Sequence, residues 1–305
     1  MDKCTVEPGV SVTQHIQRYV QGLRVHGYSP KTIEIYTRGI RVFEEFLARD
    51  GVEDLQSVGK DHLNRYRRYL HGRSYQPASI EIFLRSLKGF FRYLEDGQHL
   101  FLNPAEDLVV QQAERRLLPV PTEEDICRLM EQPDTRKPTG IRDRAILETA
   151  YGTGARLGEL SSLQLQSLQL GDQTVRLLGK GRRERLVPLG EAAAAWIERY
   201  LTQARPGLLG PNASDALWIS SRRAPLSYMS MGMMIRRYGQ EAGIGMRITP
   251  HALRRACATH MLRRGADPVS IQQLLGHSSL KHLSQYLRVT ITEIKAMHQK
   301  STPGR

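Results

Sequence analysis

The sequence predicts a mainly α-helical protein (α+β class) with one small antiparallel β-sheet, divided into two domains. Three observations support this fold class. Apolar residues recur at three- and four-residue spacing through most of the chain, which is the period of an amphipathic helix. One stretch, residues 174–189, alternates apolar and polar residues on both sides of a glycine-containing turn, as a β-hairpin does. The length of 305 residues exceeds that of a typical single domain.

Four amphipathic segments predict an N-terminal helical bundle in a domain spanning residues 1–104. Ser29 followed by Pro30 is a capping residue before a first-turn proline, and Gln76-Pro77 has the same proline placement. The aromatic residues of the last segment follow the helical period, so we expect them in the core. The expected helices are Thr13–His26, Ser29 to near Gly51, Gly59–His71 and Gln76 to about Gly97.

A polar stretch without helical period, residues 105–121, is expected to link this bundle to a second domain, residues 122–305. Thr122 and Asp125 form a capping-box pattern at its start. The second domain is predicted to be mostly helical around the hairpin. The expected helices are Gly140–Tyr151 closed by Gly152, Ala155–Leu163, Glu191–Leu201, Ser227–Ala242, Pro250–Arg264, Pro268–Leu275 and Ser279–Val289.

The charge balance favours a polyanionic partner. The chain carries 44 Lys+Arg against 31 Asp+Glu, a net charge of +13. Of this excess, residues 1–104 hold +3 and the rest of the chain holds +10. Clustered basic side chains release the counterions condensed on a nucleic-acid backbone, although many basic proteins simply have solvated charged faces.

The composition excludes several classes of protein. With 40% hydrophobic and 25% charged residues and a mean hydropathy of −0.42, the chain is neither disordered nor membrane-embedded. Its N-terminus lacks the basic start and apolar run of a signal peptide, so we expect a cytoplasmic protein without membrane contact. Cys4, Cys127 and Cys257 are spaced neither as a disulfide framework nor as metal ligands, so we expect no metal and no cofactor.

Several polar residues of the second domain are individually unremarkable. Arg156 could pair with Glu159 as part of a helix cap, and Lys180 could lie in a solvated turn. His251 and Arg254 are three residues apart and therefore share one helix face. His277 follows a helix-ending glycine, and Tyr286 is one of twelve tyrosines. Taken one at a time, each residue favours a structural role.

Taken together, these residues form an ordered pattern. The motifs TGARLGEL, GKGRRERLVPLG, HALRRACATHMLRRGAD, LLGHSSL and SQYLRV follow one another along the second domain. This pattern resembles the catalytic domain of the tyrosine recombinases, or phage integrase family, and particularly its Xer-type and transposon-encoded members. The resemblance runs over residues 122–289, and residues 12–97 resemble the SAM-like core-binding domain of the family. Six positions match jointly: Arg156, Lys180, His251, Arg254, His277 and Tyr286.

The resemblance implies a site-specific DNA recombinase that cuts and rejoins DNA through a 3′-phosphotyrosyl intermediate. It implies Tyr286 as nucleophile, His251 as proton acceptor and Lys180 as the acid that protonates the leaving 5′ oxygen. Arg156 and Arg254 would stabilise the charge on the phosphate, and His277 would hydrogen-bond a nonbridging oxygen or buttress the site. Glu159 fits a supporting role beside one of the basic residues. Arg255, next to Arg254, could face either DNA or solvent.

The implied partners are a double-stranded DNA recombination site and further protomers. Four protomers would form either a homo-tetramer on DNA or a hetero-assembly with a related recombinase, in the cytoplasm at the nucleoid. Two other functions remain open. A catalytically silent DNA-binding accessory subunit would keep the fold without cutting, and a type IB topoisomerase would use related strand chemistry without exchanging partner strands.

Overall fold

The computed structural model describes residues 11–100, 102–110, 118–179 and 183–276. The chain divides into two compact units, Met1–Arg116 and Leu117–Arg305. Within the described ranges, no helix is long and apolar enough to span a bilayer. The predicted fold class is confirmed, since the elements are mostly helices and one three-stranded antiparallel sheet.

The first unit contains the four predicted helices. Their starts agree with the predicted capping residues: the Ser29 hydroxyl accepts a hydrogen bond from the Thr32 N–H, and Pro77 opens the fourth helix. The Ser11 side chain caps the first helix in the same way, because it accepts a hydrogen bond from the Gln14 N–H. The four helices are α1 Val12–Val25, α2 Pro30–Arg49, α3 Lys60–Gly72 and α4 Pro77–Asp96.

Aromatic side chains fill the core of the first unit, as the helical period predicted. The ring of Phe43 meets those of Tyr66 and Phe91 edge to face, with centroids 4.9 and 5.8 Å apart. Helices α2 and α4 approach closely at Gly39, where an added Cβ would lie 2.3 Å from the Ser86 Oγ. Glycine is therefore required at that crossing.

The second unit is built from eight helices and three strands in its described part. Strands β2 and β3 form the predicted hairpin, with Val175 opposite Val187, and β1 adds a short edge. The Thr122 capping box with Asp125 is present. The elements are α5 Glu123–Glu131, α6 Pro138–Thr153, α7 Leu157–Ser161, β1 Leu168–Gln169, β2 Thr174–Leu178, β3 Glu184–Pro188, α8 Glu191–Arg199, α9 Arg205–Leu209, α10 Tyr228–Glu241, α11 Pro250–Arg263 and α12 Pro268–Leu275.

The prediction that Gly152 closes helix α6 is wrong. The helix continues to Thr153, and Gly154 ends it with a left-handed backbone at φ 58°. The side-chain hydroxyl of Thr153 donates to the carbonyl of Thr149, which keeps the last turn helical. The following helix is also shorter than predicted, because α7 begins only after Arg156.

The helix predicted to end at Leu201 extends further in another form. Helix α8 passes into one π-helical turn, Tyr200–Ala204, before α9 begins with Pro206 in its first turn. Such wide turns accommodate an extra residue inside a helix. Here the turn buries Tyr200, whose hydroxyl donates to the Leu217 carbonyl at 2.9 Å. The predicted helix Ser279–Val289 lies outside the described residues.

Candidate active site

Helix α6, its closing turn and the N-termini of α7 and α11 bring three of the six predicted site residues into one region. Arg156, His251 and Arg254 are in the described part of the chain. Lys180, His277 and Tyr286 lie outside the described residues, and their assignments stay predictions. Glu159, predicted to support the site, lies in the same region.

Arg156 is the N-cap residue of α7, and the carboxylate of Glu159 holds it there. Its backbone N–H donates to Glu159 Oε2 and its Nη1 donates to Glu159 Oε1, both at 2.8 Å. Its Nη2 donates to the Gly276 carbonyl at 3.3 Å. The side chain remains 39% exposed. The structural pairing expected for Arg156 is therefore present, while part of the guanidinium faces solvent.

Arg254, on α11, is buried, with 3% of the residue exposed. Its Nη1 donates to the Gly154 carbonyl at 2.5 Å and its Nη2 to the Leu275 carbonyl at 2.6 Å. Glycine is required at residue 154, because the backbone there is left-handed and an added Cβ would lie 2.6 Å from Leu275 Cδ2. The turn that ends α6 thus supplies one of the two carbonyls that bind this guanidinium.

His251 lies in the first turn of α11, three residues before Arg254. Burial is the largest cause that lowers the pKa of His251, and the positive charges of Arg254, Arg255 and Arg156 lower it further. The imidazole is therefore neutral at physiological pH and can accept a proton. The neighbouring Arg255 donates from Nη2 to the Pro119 carbonyl at 3.1 Å.

Glu159 is the buried acid of the site, with 4% of its side chain exposed. Burial alone would raise the pKa of its carboxyl group. Hydrogen bonds from the Arg185 side chain and the Arg156 backbone, the charge of Arg185, and a hydrogen bond from the Arg156 side chain outweigh burial and lower this pKa to about 2. Glu159 is therefore ionised throughout the physiological range.

Arg185, on β3, is a site residue that the sequence analysis missed. Its Nη1 and Nη2 donate to the two oxygens of Glu159, each at 2.8 Å, and its Nε donates to the Leu274 carbonyl at 2.9 Å. In the sequence Arg185 belongs to a basic hairpin, in which each basic side chain could simply face solvent. The one sequence signal for it was Glu159, an acidic residue among basic motifs that needs a basic partner.

Three consecutive carbonyls at the end of α12 each accept a hydrogen bond from a different arginine. Arg185 donates to Leu274, Arg254 to Leu275 and Arg156 to Gly276. The C-terminus of a helix carries a partial negative charge, so it attracts guanidinium groups. Helix α12 therefore ends among the arginines of the site, one residue before the predicted position His277.

The hairpin turn that contains Lys180 begins beside the same carboxylate. The Gly179 N–H donates to the Arg183 carbonyl at 2.8 Å and closes the turn. A Cβ on Gly179 would lie 3.4 Å from Glu159 Oε1. The residue before Lys180 thus lies next to the acid that holds Arg156 and Arg185.

This arrangement is suited to a phosphate group. Guanidinium groups offer planar pairs of donors that match phosphate oxygens, and two of them lie beside a neutral imidazole. Among the described residues, no cluster of three or more His, Cys, Asp or Glu side chains is placed to hold a metal ion. The guanidinium groups of Arg156 and Arg254 are donors of this region that can stabilise negative charge.

Comparison with known proteins identifies both units. The description "Phage integrase family" matches residues 120–293, and "Phage integrase, N-terminal SAM-like domain" matches residues 16–98. The chain belongs to the phage integrase family of tyrosine recombinases. The predicted resemblance is therefore confirmed, and the protein is a tyrosine site-specific recombinase.

Two curated relatives match this recombinase over nearly its whole length. Tyrosine recombinase XerD of Pseudomonas aeruginosa is 35% identical over 298 residues, covering 96% of this chain and 99% of the relative. Tyrosine recombinase XerC of Pelotomaculum thermopropionicum is 35% identical over 299 residues, covering 95% and 98%. Both are named as recombinases, which gives the accessory-subunit alternative no support.

Solved structures share the fold at lower identity. XerH site-specific recombinase bound to palindromic difH substrate, a post-cleavage complex, has a TM-score of 0.77 at 19% identity, covering 95% of this chain and 85% of that one. A lambda integrase tetramer bound to a Holliday junction has a TM-score of 0.73 at 20% identity, covering 92% and 78%. At these identities the structures support the fold of this recombinase.

Proposed function

We propose that this recombinase cuts and rejoins double-stranded DNA at a specific site through a 3′-phosphotyrosyl intermediate, with Tyr286 as the nucleophile. The observation that carries the proposal is the meeting of Arg156 and Arg254 at the end of α12, beside the neutral imidazole of His251. The sequence then reaches Tyr286 ten residues after Gly276. The family membership and the site geometry thus support the same chemistry.

In the proposed cleavage step, the phenolic oxygen of Tyr286 forms a bond to the scissile phosphorus and the bond to the 5′ oxygen breaks. His251 accepts the phenolic proton, which is needed because a phenol has a pKa of about 10. Lys180 supplies a proton to the leaving 5′ oxygen. A second 5′ hydroxyl then attacks the phosphotyrosine and reseals the strand. Each step exchanges one phosphodiester bond for another, so no ATP is consumed.

Arg156 and Arg254 stabilise the negative charge that develops on the nonbridging oxygens. Preorganised donors of this kind contribute about 3–4 kcal/mol each to the stability of a transition state. Arg254 is fixed by two carbonyls and Arg156 by a carboxylate, so neither guanidinium has to be ordered when DNA binds. His277 would complete the site by donating to a nonbridging oxygen or by buttressing its neighbours.

The proposed partners are a DNA recombination site and further protomers. Related folds have been solved as a tetramer on a Holliday junction and as a complex with a difH substrate. By analogy, four protomers of this recombinase would hold two DNA sites, either alone or with a related recombinase. A protein acting on chromosomal DNA would be found at the nucleoid in the cytoplasm.

We propose that the chain forms two domains, residues 1–104 and 122–305, and that both contact DNA. The division between the compact units, at Arg116 and Leu117, falls within the proposed linker, residues 105–121, and supports these domain bounds. Ala105, the first residue of the proposed linker, is fully buried in the core of the first unit.

The deciding experiment traps the covalent intermediate. A nicked duplex containing the recombination site should give a protein–DNA adduct that survives SDS, because the nick lets the short 5′ strand diffuse away. Tyr286→Phe should form no adduct. Tyr228→Phe is the matched control, since Tyr228 is 55% exposed and has no proposed role. An adduct formed by Tyr286→Phe would contradict the nucleophile assignment.

A second assay separates recombination from topoisomerase activity. The recombinase should exchange strands between two duplexes carrying the site, and the products should be resolved by length on a denaturing gel. Relaxation of supercoiled plasmid without any strand exchange would instead favour the type IB topoisomerase alternative.

A further inference from the structure

We propose that Arg185 is a positioning residue for the recombination reaction, which fixes Arg156 through Glu159 and links both to the end of α12. The proposal rests on the proposed function, because it concerns the guanidinium that would bind the scissile phosphate. Arg185 itself would not touch DNA. It would determine where Arg156 lies and therefore how fast the strand is cut.

The geometry of Glu159 carries the first step. Its Oε1 accepts from Arg156 Nη1 and Arg185 Nη1, and its Oε2 accepts from the Arg156 backbone N–H and Arg185 Nη2. All four donor–acceptor distances are 2.8 Å. The two arginines therefore hold the carboxylate from two sides. Without Arg185, half of these bonds disappear, and the carboxylate can rotate together with Arg156.

The third donor of Arg185 carries the second step. Its Nε donates to the Leu274 carbonyl, so one side chain connects β3, α7 and α12. Gly276 is packed directly against this side chain, because a Cβ there would lie 3.0 Å from Arg185 Nη1. Arg185 thus braces both the carboxylate that holds Arg156 and the C-terminal end of α12.

Exposure separates the role of Arg185 from that of Arg156. The side chain of Arg185 is 15% exposed, against 39% for Arg156. In addition, Nε, Nη1 and Nη2 of Arg185 all donate to protein atoms, two of them to the Glu159 carboxylate that also binds Arg156. This bonding to the partner of Arg156 favours a positioning role for Arg185 over direct phosphate binding.

Arginine is required at this position for a geometric reason. Only a planar guanidinium can donate two parallel bonds to a carboxylate and a third bond to a carbonyl. A lysine would keep the positive charge but supply a single point of contact. Arg185→Lys therefore separates the effect of charge from the effect of geometry, and Arg185→Met removes both.

The test compares Arg185→Met and Arg185→Lys with the control Arg176→Met. Arg176 is an arginine of the same sheet, 51% exposed and only 3.8 Å from Glu184 at its closest. The measurements are the single-turnover rate of adduct formation on the nicked duplex, the Kd for the same duplex at fixed salt, and hydrogen exchange of the Arg156 amide. That amide reports directly on Glu159, because it donates to Oε2.

We expect the cleavage rate of Arg185→Met to fall about 10²-fold, the cost of a misplacement of about 1 Å. The Kd should change less than threefold, since one indirect contact is a small part of a many-contact interface. Arg185→Lys should fall between wild type and Arg185→Met, and the Arg156 amide should exchange faster in both variants. Arg176→Met should match wild type in all three measurements.

A double-mutant comparison tests whether Arg185 acts through Arg156. In an Arg156→Lys background, Arg185→Met should slow cleavage by less than it does in wild type, because the group it positions is already gone. Fully additive effects on the rate would overturn the proposal. A Kd that rises as much as the rate falls would also overturn it, and would make Arg185 a DNA contact.

The exchange measurement keeps the two proposals separable. If wild type forms no adduct, the proposed function fails, while exchange at Arg156 still decides whether Arg185 fixes it. Unchanged exchange in Arg185→Lys, or a Lys variant that cleaves at the full rate, would overturn the positioning role. If Arg185→Met does not fold, the amide exchange and the cleavage rate of Arg185→Lys alone decide whether Arg185 positions Arg156.

Discussion

The two units bury different kinds of side chain. Within the described residues of the first unit, no Asp, Glu, Lys or Arg is buried, and the core consists of aliphatic and aromatic groups. The described part of the second unit buries five charged side chains in addition to its apolar core. These are Arg142, Asp143, Glu159, Arg205 and Arg254.

The difference shows that buried charge alone does not mark the active site. Arg142 donates to Asp143 and to the Ile219 carbonyl, and Arg205 donates to the Ser214 and Ala216 carbonyls, so these residues brace the fold. Arg254 and Glu159 differ because they converge with a half-exposed arginine at the end of one helix. The proposed site is therefore marked by buried charged residues that lie beside a partly exposed hydrogen-bond donor, Arg156.

The largest expected effect comes from removing the buried arginine of the site. Arg254→Ala should abolish adduct formation and also lower the stability of the second unit, because two buried carbonyls lose their donor. Each unsatisfied group costs about 1–3 kcal/mol. Chemical denaturation and the adduct assay check the two effects. A variant that keeps wild-type stability would contradict the structural part of this prediction.

Arg156→Ala should separate chemistry from stability. We expect adduct formation to fall about 10²–10³-fold, the effect of losing one preorganised donor, with little loss of DNA binding. Its carbonyl partner, Gly276, is exposed, and Glu159 keeps both bonds from Arg185 and the bond from the backbone N–H of residue 156, so the loss of stability should be smaller than for Arg254→Ala. Single-turnover cleavage and a binding titration at one salt concentration test this. Equal losses in both measurements would make Arg156 a binding residue.

Helix starts were predictable from the sequence because capping is local. Ser29, Thr122 and Ser227 each bond to a backbone N–H three residues ahead, so the signal and its consequence lie within one turn. Helix ends were harder. Gly152 and Gly154 both fit a terminus, and the helix ends at Gly154, where an added Cβ would meet Leu275, a residue distant in sequence.

The site was predictable only where a motif carried it. Arg156, His251 and Arg254 were predicted as site residues from the family resemblance, and the structure brings them into one region. Arg185 was missed because its partners, Glu159 and Leu274, are 26 and 89 residues away along the chain. No local pattern distinguishes it from the other basic residues of the hairpin.

Acid should weaken the second unit through Glu159. Its folded-state pKa of about 2 lies below the ordinary value of 4.5, so its contribution to stability is complete above pH 4.5 and is lost as pH falls toward 2. The contribution is on the order of 3 kcal/mol at neutral pH. Glu159→Gln should therefore be less stable than wild type at pH 7, and the difference should shrink between pH 5 and about pH 2. A pH-independent difference would contradict this.

A surface ion pair of the first unit provides the smallest effect and the sharpest contrast with Glu159. Lys31 and Glu34 are 2.8 Å apart, but their side chains are 70% and 66% exposed. Water and salt screen such a pair, and holding two long side chains together costs entropy, so it contributes about 0–1 kcal/mol. Lys31→Gln should therefore shift the free energy of unfolding of the first unit by less than about 1 kcal/mol, and the shift should vanish in high salt. Denaturation at low and high ionic strength measures it. A loss of stability as large as that of Glu159→Gln would mean that exposure does not explain why the buried carboxylate contributes more than the surface ion pair.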